Sequence, residues 1–454
     1  MAGLTSSMLM AAHSLLVQQA ALSTTSNNIA NANTPGYSRE VVNMVDADPL
    51  QEGSLWFGTG VSIDNVSSIR DRLLQLRIYD ATQREGNTSA QLDSLKEIEN
   101  LFSDATTGIG ADLTAFFNSL NELSTDPTSG PSRQGVLTAA GNLASSFQNA
   151  VSQLNTVRNN LNLSVTGSVN QINQLTEQIA GLNAQIGPIQ RLGQDAGALE
   201  DQRDELIRQL SEVVDVLAIP TDEGETLTTS GGAPLVVGGA SFELVTSPDV
   251  GGIQHVYSQG SDITSNLHGG KLGGLLTIRD QEVPSVLSSL DALAGELATN
   301  VNAALKAGYD LNGHKGVALF APNAPGAGAA ASMAVLITDP NLIAASSDGS
   351  VGSNGNLTNV LAVQNQKLSN GQTPIDSYSS LVFQIGNTGS QAKADNDANG
   401  VLLQQLLNQR SAISGVSIDE ETTNLLRYQH AYQAAAQVIS TVDELTQLTI
   451  DMVK

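Results

Sequence analysis

The sequence predicts a mainly α chain with one β insertion, an α+β multidomain protein whose N- and C-terminal helices pair in coiled-coil fashion. Three observations predict it. Apolar residues recur every seven positions at both ends of the chain. A third seven-residue repeat runs through the middle, and between about 216 and 275 the repeat gives way to Gly, Thr and Val with paired glycines.

The first 35 residues carry no charged side chain. Met8, Leu15, Leu22 and Ile29 form one row, with Leu4, Ala11 and Ala32 on a companion row, which predicts a helical seam. Pro35 disfavours helical geometry at Thr34 and Gly36 accepts unusual dihedrals, so the helix stops there. From Val151 to Ile186 the rows Val151, Arg158, Val165, Ile172, Ile179, Ile186 and Leu154, Leu161, Ser168, Leu175, Leu182 predict a rod-like helix. Glycine pairs at 231–232, 238–239, 251–252 and 269–270 mark short strands and turns. A helix is expected from Pro284 to Lys306, then an Ala, Gly and Pro-rich loop to Ala331 and a short strand at Val335 to Thr338. Ser417 with Glu420 reads as a capping box, and Asp419 and Glu421 add negative charge where a helix N-terminus favours it. Behind that start, Ile418, Leu425, Tyr432, Ile439 and Val453 share a row broken by Thr446, with Tyr428, Ala435, Val442 and Thr449 three residues along. The expected domains are 1–35 with 417–454 as a terminal helical pair, 36–215 with 276–416 as a helical middle layer, and 216–275 as a β-rich outer part.

Composition excludes several functions. The 454 residues carry 45 acidic against 20 basic side chains, a net charge of -25, so no basic stripe is available for nucleic acid or an anionic membrane surface. Aromatics are only 4% and small polar residues abundant, which suits long helices with small-residue packing. Zero cysteines rule out disulfides, thiolate metal sites and cysteine nucleophiles. The first basic residue is Arg39 and no unbroken apolar run precedes it, so no secretory leader is expected, nor any membrane insertion.

Catalytic chemistry is equally hard to place. Asp395, Asp397, Asn399 and Gly400 match the opening of a calcium loop, but Leu406 stands where a bidentate glutamate is needed, so the stretch reads as a solvated turn before a helix. His13, His255, His268, His314 and His430 make no zinc spacing, and no G-x-S-x-G elbow occurs. Gly269, Gly270 and Lys271 lack the Ser or Thr of a phosphate loop, Leu272 standing there, and read as a tight turn between strands. The acidic run Glu200, Asp201, Asp204, Glu205 interleaves with Arg203 and Arg208, which i to i+4 pairing explains. No cofactor and no enzymatic activity are expected.

Ser26 to Glu40 reads SNNIANANTPGYSRE, and it resembles the N-terminal motif shared by bacterial flagellar rod, hook and hook-associated proteins. Its motif positions here are Asn27, Asn28, Asn31, Thr34, Pro35, Gly36, Tyr37 and Arg39. GTGVSIDNV from Gly58, LEDQRDEL from Leu199, AGYDLNGHKG from Ala307 and SGVSIDEETTNLLRYQHAYQAAAQVIS from Ser414 narrow the likeness to the first hook-associated, or hook–filament junction, family. The resemblance spans the whole chain. Large members of that family carry a further outer β-domain, which the insertion here is too short to hold.

The resemblance implies an extracellular structural protein of the flagellum that joins hook to filament. It would be exported unfolded by the flagellar type III apparatus after a transient cytoplasmic stage, then assembled as a ring of identical copies. Its partners would be itself, the hook protein, the second junction protein and a cytoplasmic export chaperone. The expected assembly seam is Leu4, Met8, Leu15, Leu22, Ile29, Ile418, Leu425, Tyr428, Tyr432, Ile439 and Val442. The chaperone would take the C-terminal apolar face, Leu425, Leu426, Tyr432, Val438, Ile439, Leu445 and Leu448. The alternative readings of the sequence are another axial protein of hook or distal rod, and a secreted calcium-dependent enzyme resting on Asp395 to Gly400 alone.

Overall fold

The computed structural model describes residues 2–52, 54–102, 108–221, 224–321 and 328–453. The chain begins with α1 (Ala2–Ala30), whose lack of charge and of Pro allows an unbroken helix. Four strands follow, β1 (Glu40–Asp46), β2 (Leu50–Glu52), β3 (Leu55–Phe57) and β4 (Val61–Ser68). β1 pairs antiparallel with β4, and β2 with β3 at the far end, making one long two-stranded arm. This arm lies within a stretch expected to be helical. Its apolar residues fall in pairs, Val41–Val42 and Met44–Val45, and do not alternate cleanly, so no period-two signal stands out beside the long helical repeats.

The helical body contains α2 (Arg72–Phe102), α3 (Ile109–Thr125), α4 (Gly130–Arg191) and α5 (Gly197–Val213). α4 is started by Ser129, whose side chain accepts from the Ser132 amide at 3.2 Å, with Pro131 in the first turn where its missing N–H is no loss. Val151, Leu154, Leu161, Val165, Ile172, Leu175, Ile179 and Ile186 of its repeat are buried, and α3 and α5 pack along it. Gly86 lets α2 cross α5, since a Cβ there would collide with the Glu212 carbonyl.

The insertion forms two small antiparallel sheets against α4. One contains β5 (Leu217–Thr221), β6 (Gly224–Thr228), β7 (Pro234–Val237) and β8 (Ala240–Ser241), paired in sequence order. The other orders β11 (Ser261–Asp262), β10 (Gln254–Ser258) and β9 (Leu244–Pro248). Gly269 and Gly270 are not a turn between strands: they open α6 (Gly270–Thr277), which continues through a widened π turn, Ile278–Glu282, into α7 (Val283–Ala307). Gly270, at φ 63°, sits against the Val213 and Val214 backbone, a contact open only to glycine.

After α7 come a long loop, α8 (Gly355–Ala362), α9 (Pro374–Ser414) and α10 (Ile418–Val453). Part of the Ala, Gly and Pro-rich segment, 322–327, lies outside the described residues. Val335 makes only an isolated bridge to Phe320, so the strand expected at Val335 to Thr338 does not form. Asp395 to Gly400 lies in the middle of α9, neither a calcium loop nor a turn: Gln391 donates to Asp395 and Lys393 to Asp397, both i to i+4 pairs, which stabilise helix. Among the described residues no His, Asp and Glu cluster could hold a metal ion, and no helix is long and apolar enough to cross a membrane.

One contiguous hydrophobic core runs from Tyr79 to Ala392 through α2 to α9 and both insertion sheets. Among the described residues, none of α1 or α10 belongs to it.

Candidate functional site

The asparagine-rich motif sits where four parts of the chain meet. α1 ends at Ala30, and Asn31 caps it by donating to the Asn27 carbonyl at 3.1 Å and to Asn27 Oδ1 at 2.9 Å, while Thr34 donates to Asn31 Oδ1 at 3.2 Å. Tyr37 N donates to the Thr34 carbonyl at 3.2 Å, with Pro35 and then Gly36 at φ 83° between them. That is the residue order of a type II turn.

Asn28 is the centre of the knot. Its Oδ1 accepts from Tyr37 Oη at 2.8 Å and from the Glu40 amide at 3.0 Å. Its Nδ2 donates to the Glu40 carbonyl at 2.8 Å and to Glu421 Oε2 at 3.3 Å. A primary amide of this length alone presents two acceptor and two donor directions here; aspartate has no donor and glutamine reaches too far. Asn27 adds longer bonds to Tyr37 Oη and Glu40 Oε2. Burial first, then the carboxylates of Glu40, Asp201 and Glu421, push the Tyr37 phenol well above its ordinary value, so it stays a donor.

Arg39 ties the motif to the start of α10. Its Nε donates to Glu421 Oε1 at 2.7 Å and its guanidinium reaches Glu420 at 3.1 Å, while its backbone N–H donates to the Ser414 carbonyl at 2.8 Å. Glu421 is buried, so the pair is shielded more than a surface ion pair. Ser417 caps α10 only loosely, at 3.5 Å from the Glu420 amide, and Glu420 turns to Arg39 instead of closing a capping box. On the body side Ser38 N donates to Asp201 Oδ2 at 2.7 Å, Arg70 holds Asp201 Oδ1 at 2.9 Å, and Arg410 donates to the Gly36 carbonyl. An open groove of about 630 Å³ runs beside the motif, lined by Pro35, Leu182, Gln202 and Leu206.

Beyond the knot, α1 and α10 lie side by side. The Asn28–Glu421 contact joins the end of one to the start of the other, so they run antiparallel. The residues facing inward are small or polar: Ala11, Val17, Ala21, Thr25 and Asn28 from α1, Glu421, Ala435 and Val442 from α10. Of the seam residues read from sequence, Val442 is buried and Leu4, Leu15, Leu22, Ile29, Leu425, Tyr428 and Ile439 are half-buried. Met8, Ile418 and Tyr432 are exposed, outside the stripe that the two helices cover on each other. The reason is geometric: two helices cover only a narrow stripe of each other, and here the companion rows centred on Ala11 and Ala435 take it. Val453's side chain lies outside the described residues. Of the C-terminal face, Leu426, Tyr432, Val438, Leu445 and Leu448 are exposed, as are Leu9, Met10 and Leu16 on α1. The pair therefore has an apolar outer surface that its own chain leaves open.

The sequence does not mark Arg70, Glu40 or Arg410 as partners of the motif, and it names Asp201 only as a member of the acidic run on α5. Pairing within α5 accounts for only part of that run. Glu205 does bond Arg208, which with Gln209 outweighs burial and holds its carboxyl below the usual range. Asp201 and Glu200, however, go to Arg70. Scarcity was the available signal: in so acidic a chain each arginine has many carboxylates to choose from, and Arg39, Arg70 and Arg410 all sit within or beside the quoted motifs.

Comparison with known proteins agrees with this arrangement. Residues 95–320 match the helical-domain family of flagellar hook-associated protein FlgK, residues 8–37 the flagella basal body rod protein family, and residues 408–452 the C-terminal family of the basal body rod FlgEFG proteins. The flagellar hook-associated protein 1 of Escherichia coli K12 is 28% identical, covering 96% of this chain and 97% of that one. The flagellar hook-associated protein 1 of Bacillus subtilis 168 is 30% identical over 97% of each chain. The solved flagellar hook junction protein FlgK of Burkholderia pseudomallei superposes with a TM-score of 0.67 at 21% identity, over 74% of this chain and 100% of that one, and so shares the fold. Similarity at that level along nearly the whole length, with the motif knot in place, means that the chain belongs to the flagellar hook-associated protein 1 family.

Proposed function

We propose that the chain is a structural, non-enzymatic subunit of the first junction layer between hook and filament. The observation that carries this reading is the outer surface of the α1–α10 pair, apolar on both helices and left open by the rest of the chain. An isolated soluble protein has no use for so much exposed apolar surface, whereas a subunit in a tube covers it with its neighbours. The terminal pair would line the inner wall, the helical body would form the next layer, and the β insertion, strands 217–262, would face outward. Export through the type III apparatus and protection of Leu426, Tyr432, Val438, Leu445 and Leu448 by a cytoplasmic chaperone follow from the same exposure, since an apolar helix face that waits for its partners must be shielded. Hook protein on one side and the second junction protein on the other complete the partners. A hook or distal rod role is the weaker alternative, because similarity to the first hook-associated proteins covers nearly the full length.

Leu16→Asp tests the reading. Leu16 is 63% exposed, so the charge should leave the melting temperature of the purified chain unchanged to within about 0.5 kcal/mol of stability. In cells lacking the native chain, the variant should be exported yet fail to hold filaments on hooks. Normal filament attachment would defeat the proposal.

A further inference from the structure

The β1–β4 arm holds the chain's one tryptophan, and among the described residues nothing covers it. Trp56 is 64% exposed, and the cross-strand pairs Met44–Ile63 and Leu50–Phe57 are exposed with it. The lower arm lies along α1, with Gly60 against Met10, but β2 and β3 pack substantially only on each other. A two-stranded ribbon is marginal in water by itself, and large aromatics concentrate at the centres of protein interfaces. The tip is therefore built to be covered.

Charge decides what covers it. At a net charge of -25, two copies repel wherever acidic faces meet, so a tip segment that carries Asp46, Asp48 and Glu52 meets least repulsion on a surface without carboxylates. α1 offers one: residues 1–35 carry no charged side chain, and Leu9, Met10 and Leu16 are exposed along it. The arm leaves the body along α1, with Gly60 against Met10, so each copy presents the tip and the charge-free helix face side by side. We propose that the β2–β3 tip, with Trp56 at its centre, docks on the charge-free outer face of α1 in a second copy of this chain. In a ring of identical subunits each copy then gives its arm to one neighbour and receives an arm from the other, a heterologous contact that repeats around the ring. This rests on the assembly reading above and names the contact that makes it.

The absence of cysteine makes the test clean. Chains carrying Trp56→Cys and chains carrying Leu16→Cys are co-expressed, and isolated flagella are treated with a short bismaleimide. A dimer should appear only when both variants are present. Gln51→Cys, opposite Trp56 across the hairpin, replaces Trp56→Cys if that variant does not assemble. Trp56→Ala should lower the number of junction copies per flagellum by about tenfold or more while the melting temperature of the free chain stays the same. Junctions that form normally without the mixed dimer, or an arm cross-linked to a different protein, would overturn the contact and leave the assembly reading standing. Failure of the unmodified chain to enter flagella would overturn both.

Discussion

Asp204 shows how a single half-buried side chain can set the pH response of the body. It lies on α5 beside Arg203, with Glu225, Asp201 and Arg70 nearby and the Tyr79 hydroxyl on its own carbonyl. Burial, only partly offset by Arg203 and reinforced by the Glu225 carboxylate, pushes its carboxyl up to about 6. In the unfolded chain the same group titrates near ~4. The folded state therefore holds the proton more tightly, so its contribution is full below pH ~4 and is lost as pH rises through 6. Asp204→Asn should be more stable than the native chain by about 3 kcal/mol above pH 7, and that advantage should fade between pH 6 and 4. Urea unfolding of both chains at pH 4, 6 and 8 checks it, and a constant difference would refute the assignment. None of this was legible in sequence, where Asp204 was one member of an acidic run. Asn28 was legible as a motif position, but the four bonds that make it necessary depend on Glu40 and on Glu421, which lies 393 residues away in the chain.

Among elements, α4 is the spine to which the β insertion is fastened. Its apolar repeat was legible because a seven-residue period sustained from Val151 to Ile186 has no strand counterpart. Its fasteners were not. Asn162, Asn173 and Asn183 lie about three turns apart, and each uses its amide as a strand would use its backbone. Asn162 donates to the Gly252 carbonyl at 3.2 Å and accepts from Gln254 N at 3.2 Å. Asn173 takes both backbone groups of Leu244, at 2.8 and 2.9 Å. Asn183 donates to the Glu225 and Gly238 carbonyls at 2.8 and 2.9 Å. A polar residue within a helical repeat normally marks the solvent side, so sequence alone assigns these three to water. Arg279 reinforces the first fastener from the π turn, donating to Asn162 Oδ1 at 3.1 Å and to the Gln254 carbonyl. Asn173→Ala leaves both Leu244 groups unpaired beside a buried helix and should cost about 2 kcal/mol. The amides of β9 should lose exchange protection while those of α3 keep theirs. Unchanged protection across Leu244 to Pro248 would show that the sheet is held by its apolar side chains alone.

For the molecule as a whole, the division of stability matters more than any single contact. The hydrophobic core belongs to α2–α9 and the insertion; the terminal pair buries mainly Ala11, Val17, Ala21, Ala435 and Val442 and joins the body through the motif knot. Small side chains bring helices close but remove little apolar area from water, at roughly 25 cal/mol per Å². Helices held so weakly open at the low end of the local stability range. In a dilute solution of the free chain, amides of α1 and α10 should exchange at least about 100-fold faster than those of α4. Protection should also be graded. Residues 24–30 and 417–425, next to the Asn28 and Arg39 contacts, should be slower than 3–15 and 440–452 at the far ends of the pair. In isolated flagella, with neighbours covering Leu16, Leu426 and Leu448, both helices should become as slow as the body, because the apolar outer face is then withdrawn from water. If the free chain instead protects both tails as strongly as α4, the terminal pair is already a finished domain, and assembly must be driven by some other surface.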